Sequence, residues 1–215
     1  MSVKILIIFD NKFKRITMKN LLKGKVIWIV AIVLLGLYGC SSYNSMAKQD
    51  QEVQNQWANV ETRYQERADK TKNLLAIVEK SANFEKSTLQ DVIDARTKAT
   101  SIQINANDLT PENIQKFQEA QDQLGGALGR LLAVAEAYPD IKSVQAFRDF
   151  QTQYEGIENR ISHERMKYNN VVKLFNQSIV TFPKSLMARI FGFTQKGYFK
   201  AAAGTENAPD ISKMP

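Results

Sequence analysis

One histidine and one cysteine supply all the imidazole and thiol chemistry in this sequence. His163 is followed by Glu164 but has no second histidine on the same helix turn, so the pattern of a zinc-protease helix is not met. Three residues before it stands Arg160, where a di-iron bundle needs Glu-x-x-His in duplicate. A structural zinc site needs four ligands, and a Ser-His-Asp or Cys-His arrangement needs partners that one His and a leader Cys cannot provide. The residues therefore predict no metal, no cofactor and no enzyme. His163 reads as a surface or boundary side chain.

Gly125-Gly126-Ala127-Leu128-Gly129 lacks the Gly-Lys-Ser/Thr of a phosphate loop and lies inside a helical pattern. Gly125 and Gly129 share one helix face, and each costs up to ~1 kcal/mol in a helix. Their spacing predicts close approach of a neighbouring helix. Arg63, Arg67 and Asp69 fall at polar positions of the first helical stretch, with Arg130 and Glu136 on a later one. They read as a solvated face with weak i,i+4 pairs, a partner site being the alternative. Trp57 falls at a core-type position.

Cys40 closes Leu37-Tyr38-Gly39-Cys40, which Gly36 joins to the apolar run Val26–Leu35 behind Lys19, Lys23 and Lys25. Positive, then apolar, then small residues is the order of an export signal. From Val26 to Cys40 a helix rises about 22 Å, short against a bilayer core of about 30 Å. The last four residues resemble the lipobox of bacterial lipoproteins, in which a peptidase cuts before the Cys and the new N-terminus is acylated. Tyr38 is bulkier than that box usually holds. The lipidation reading thus rests on Cys40, and an uncleaved signal anchor ending in an incidental Cys is the alternative. Either way the basic flank stays cytoplasmic and the body is translocated. Residues 1–17 form a weaker basic-apolar segment and read as an upstream-start extension, Met18 giving the cleaner leader; 18–40 is then the signal or anchor segment.

The net charge of +7 suggests an acidic partner until it is located. Residues 1–25 hold seven of the basic side chains against Asp10 alone, which leaves the body close to neutral. No nucleic-acid footprint follows.

From Ser45 onward the apolar residues recur by threes and fours. Val53, Trp57, Val60, Tyr64, Ala68, Thr71, Leu75 and Val78 give one stripe of a long helix. The stripe slips at Ser81-Ala82-Asn83; Ser87 with Gln90 resembles a capping box, and Leu89, Val92, Ala99 and Ile102 mark a second helix. Thr110 is the expected N-cap of a third, with Pro111 at its first position and Ile114, Phe117, Gln121, Leu124, Leu128, Leu131, Ala135 and Tyr138 along its stripe. Asp140 is the expected cap of a fourth, carrying Val144, Phe147, Tyr154, Ile157, Ile161, Tyr168, Val171, Phe175 and Ile179. After Pro183, SLMARIFGF and KGYF are apolar enough to dock on the bundle or on a membrane surface. Residues 200–215 read as a disordered tail. The expected fold is all-α: an antiparallel four-helix bundle with long helices behind an apolar leader.

Three stretches read together: GALGRLLAVAEAYPDIK (Gly126–Lys142), YNNVVKLFN (Tyr168–Asn176) and FPKSLMARIFGF (Phe182–Phe193). With SYNSM and QWANVETRYQERADKTKNLL upstream, the chain from Tyr43 to Phe199 resembles the LemA family. The resemblance implies a membrane-anchored bacterial envelope protein with a bromodomain-like four-helix bundle over residues 44–199. It implies no catalytic residue and no cofactor. Where the family's first helix has a Pro, this chain has Lys72 before Asn73, so a straighter helix is expected. The function expected is a non-enzymatic scaffold or interaction module, its partners the membrane and an envelope protein not identified by the sequence. The alternative is a sensor that binds a small molecule or peptide in a bundle groove.

Overall fold

The computed structural model describes the backbone of residues 2–80 and 84–201 and the side chains of residues 26–80 and 84–201. The side chains of the expected 1–17 extension, the slip at Ser81-Ala82-Asn83 and the tail from residue 202 lie outside the described residues. Among those described there are six helices and no strand: α1 (Ser2–Val78), α2 (Lys86–Ser101), α3 (Pro111–Ala135), α4 (Pro139–Lys142), α5 (Gln145–Val180) and α6 (Lys184–Phe191). The fold is all-α, as the periodicity requires.

Leader and first bundle helix are one element. Residues 41–44 do not interrupt α1, and Ser42 is buried within it. All eight residues of the expected first stripe, from Val53 to Val78, are buried. The helix runs past Lys72 without a break, as the missing proline predicts. Upstream the environment inverts: Val26, Ile27, Trp28, Ile29, Val30, Ile32, Val33, Leu34, Leu35 and Leu37 expose their apolar side chains.

Two helix starts differ from expectation. At α2 the N-cap position is Glu85, and Thr88 donates its hydroxyl to the Glu85 carboxylate; Gln90 instead bonds Asp94 one turn on, so the Ser87–Gln90 box does not form. Asp140 does not cap the long fourth helix but lies in the single turn α4, and α5 begins at Gln145. The guanidinium of Arg148 reaches back to the carbonyls of Lys142 and Ser143, and Val144 is exposed at the join rather than in the stripe. Thr110 caps α3 as expected, its hydroxyl accepting from the Asn113 N–H at 3.3 Å, with Pro111 following.

Pairing is antiparallel. Gln56 meets Glu164 and Arg67 meets Glu158 across α1 and α5, while Asp91 lies near Arg130 and Lys98 near Gln123 across α2 and α3. The interior divides into two apolar clusters. One holds Trp57, Tyr64, Phe117, Ile161, Tyr168 and Phe175; the other holds Leu74, Val92, Leu124, Leu128, Leu131 and Phe147. Between them lies a polar seam.

Candidate functional site

Arg67 forms that seam. It stands one residue before the stripe position Ala68, at a place expected to be solvated, yet it is only 4% exposed. Its Nη2 donates to both the backbone carbonyl and the side-chain oxygen of Gln121, each at 2.7 Å, and its Nη1 donates to Glu158 at 3.1 Å. The Gln121 amide in turn donates to the carbonyl of Ala99 at 3.1 Å. Four helices are thereby tied at one level, because a planar guanidinium carries enough donors in fixed directions to bridge them. The guanidinium also lies 5.1 Å from the Tyr64 ring centroid.

Gly125 belongs to the same seam. A Cβ there would stand 3.4 Å from Arg67 Nη1, whereas Gly129 faces open space. The expected glycine face for close helix approach is therefore not what the residues provide: Gly125 makes room for a side chain and Gly129 touches nothing. Tyr154 directs its hydroxyl at the Gly125 carbonyl. Burial, reinforced by Glu158, pushes that phenol up to about 12.

A second polar device holds the chain after α6. Residues 195–200 run extended beside α5, opposite to its direction. Asn176 donates to the carbonyl of Lys196 and accepts from its N–H, both at 2.9 Å; Asn169 does the same with Phe199 at 2.8 and 2.9 Å. Gln118 of α3 repeats the pattern on Lys200. The registers agree because seven helical residues rise about 10.5 Å and three extended residues about 10 Å. Phe199 is thus set among Trp57, Tyr64, Phe117 and Tyr168, with ring centroids 5.3–6.5 Å away. Burial pushes the phenols of Tyr64 and Tyr168 above their ordinary range. The KGYF segment docks on the bundle, and Lys200, expected in the tail, is part of that dock.

Two open clefts mark the outside. One, of about 690 Å³, is bordered by Glu61, Gln65 and Asp69 of α1, Thr100 of α2 and Phe117 of α3. The other, of about 620 Å³, lies between α2 and α3 and is bordered by Asp91, Asp94, Lys98, Gly126 and Arg130.

The remaining expected residues are scattered. His163 is exposed, and Cys40 is exposed on α1 between buried Gly39 and buried Ser42. Trp57 is buried in the aromatic cluster. Arg63 pairs with Glu66 at 3.2 Å, and Asp69 accepts from Gln65 at 3.0 Å. Glu136 is held below the usual carboxylate range by hydrogen bonds from Lys142 and Gln151. Among the described residues no group of three or more His, Cys, Asp or Glu side chains is placed to hold a metal ion.

These features define an all-α bundle protein whose first helix extends into an exposed apolar segment long enough to cross a membrane. The chain belongs to the LemA family, whose model matches residues 56–212. It is similar to magnetosome protein MamQ 2 of Paramagnetospirillum magneticum, 27% identical over 196 residues that cover 81% of this chain and 71% of that protein. Magnetosome protein MamQ of Magnetospirillum gryphiswaldense is 24% identical over 82% of this chain and 73% of its own. Protein LemA of Metamycoplasma hominis is 25% identical over 61% of this chain and 57% of its own.

Proposed function

We propose that the protein is a non-enzymatic scaffold of the bacterial envelope, tethered by the N-terminal part of α1 with its bundle outside the cytoplasm. The observation that carries this reading is the continuity of α1, in which one helix supplies both the exposed apolar segment and the central stripe of the bundle. A bundle joined to its anchor without a hinge is held at a set height and angle, which suits a platform better than a freely swinging domain. The seam supports the same reading: the buried charge of Arg67 is used in tying helices.

The cleft of about 690 Å³ is in the size range of small-ligand sites and favours a sensor as the second reading. Site-specific photo-crosslinking in intact cells separates the two. The scaffold reading expects protein adducts from positions 94 and 130 in the α2–α3 cleft. Native mass spectrometry showing a small molecule retained by the purified chain, and lost in Thr100→Trp, would replace the scaffold by the sensor.

A further inference from the structure

The end of the bundle nearest the anchor carries an apolar face that the fold leaves uncovered. Phe182 is 77% exposed, Ile190 70% and Leu186 50%. These residues belong to α6 and the turn before it, and α6 is fixed to one place on α1. A Cβ on Gly39 would stand 3.8 Å from Met187 Sδ, the rings of Tyr43 and Phe191 are 5.0 Å apart, and Lys184 Nζ donates to Ser45 Oγ at 3.3 Å. The αL conformation of Gly192, φ 77°, ends α6 and turns the chain so that Phe193 packs back on Tyr43.

That place is where the anchor meets the bundle. Val26–Ala47 carries no charged side chain, and at about 1.5 Å per residue it rises about 33 Å, close to the roughly 30 Å of a bilayer core. Its second half, however, contains Ser41-Ser42-Tyr43-Asn44-Ser45, too polar to face lipid unaided. Against this half α6 is packed, burying Ser42 and presenting its own apolar residues outward. The charged residues between Tyr168 and Gln195 are Lys173, Lys184 and Arg189, all basic, a composition suited to anionic headgroups.

We infer that α6 is a second membrane contact: it lies in the interface of the bilayer that holds α1, with Phe182, Leu186 and Ile190 in lipid and Arg189 at the phosphates. The inference rests on the tether proposed above, and it holds for an uncleaved α1 as for a chain acylated at Cys40, since both bring residues 40–45 to the outer leaflet. The contact gives the bundle two attachment points and fixes its rotation about α1.

The test places a fluorescent amino acid at position 186 or 190 of the full chain by stop-codon suppression, leaving Cys40 intact. Position 79, just past the far end of α1 and about 50–60 Å from residues 40–45, is the control. Each chain is reconstituted into phosphatidylcholine vesicles containing phosphatidylglycerol, with and without bromine on the acyl chains, and helicity is checked by circular dichroism. Blue-shifted emission and quenching by brominated lipid at 186 and 190, with neither at 79, are expected. Chains that float with the vesicles while 186 and 190 remain quenchable by aqueous iodide would overturn the α6 contact and leave the tether standing. Protection from iodide without quenching by bromine would assign the face to a second copy or a protein and also overturn it. Failure to float would overturn the tether and the contact together.

Discussion

Asn169 and Phe199 are joined twice, the amide of Asn169 donating to the Phe199 carbonyl at 2.8 Å while its oxygen accepts the Phe199 N–H at 2.9 Å. This pair replaces the ladder partner that an extended segment otherwise lacks. It leaves the Phe199 ring free to enter the core. Asn169→Ala removes both bonds at once and leaves a partly buried N–H and C=O unpaired, a cost of about 1–3 kcal/mol. In Asn169→Ala with Asn176→Ala the segment should detach. The measurement is amide hydrogen exchange: protection at Lys196 and Phe199 is lost while protection in α3 persists. Equal loss in α3 would show that the segment and the bundle unfold as one unit.

Gly197 tests the same segment from its other side. Its N–H donates to the Leu109 carbonyl at 2.8 Å, and an added Cβ would lie 2.7 Å from Pro111 Cα and 2.9 Å from the Thr110 carbonyl oxygen. Both obstacles are backbone at the start of α3 and cannot swing aside. Gly197→Ala is expected to destabilise by about 1–3 kcal/mol, the range of overpacking. Trp57 emission should shift to the red as Phe199 withdraws from its stack.

Arg67 should be the most costly polar residue to remove. Arg67→Ala takes the donor from the buried side-chain oxygen of Gln121 and from Glu158 and opens the space beside Gly125, for a loss of about 2–4 kcal/mol in denaturant unfolding. Arg67→Lys keeps the charge but cannot reach Gln121 and Glu158 together, so it should recover less than half of that loss. A lysine variant as stable as the parent would show that charge alone matters at the seam.

The stripes were legible because helical burial needs only residue type at a spacing of three or four, and all eight residues of the first stripe, Val53 to Val78, obeyed it. Arg67 was not legible from its own helix, since its burial depends on Gln121 and Gly125, more than fifty residues away. A signal existed in Gln121, a polar side chain inside an apolar stripe, which has to find a buried partner. Asn169 and Asn176, seven apart on one face of α5, carried the corresponding signal for the extended segment. Capping was misread at α2 and α5 because several Ser, Thr, Asp and Glu residues compete near each start, and tertiary packing chooses among them.

Alkaline titration should expose the buried phenols. An unfolded tyrosine titrates near 10, while folded Tyr154 is pushed up to about 12 and Tyr168 is raised by burial alone. The folded chain therefore keeps protons that the unfolded chain has already released. Stability is full below pH 10 and falls as the pH rises through the folded values. Tyr154→Phe and Tyr168→Phe should each flatten the fall when urea midpoints are plotted against pH. An unchanged slope in both would show that these phenols titrate normally.

Cys40 decides the form of the anchor. The thiol is exposed on α1 between buried Gly39 and buried Ser42, next to the place where Gly39 meets Met187 of α6. In the lipoprotein form the chain is cut before Cys40 and acylated there, and lipid takes the place of the N-terminal part of α1 as the tether. Each buried methylene contributes about 0.8 kcal/mol, and stable attachment takes more than one chain, so a diacylated Cys40 can replace the apolar segment upstream. Processing would require the helix to unwind locally, because a peptidase acts on extended backbone, and the glycine at 39 lowers the cost of that step. Cys40→Ala should then retain the leader, migrate as a larger species on a gel and lose labelling by a fatty-acid analogue. The alternative, in which α1 stays whole and spans the bilayer through Val26–Ala47, gives equal mobility for both chains and no label in either. Peptides from residues 18–35 recovered from mature membranes, together with an unmodified Cys40, would establish the continuous helix as the anchor.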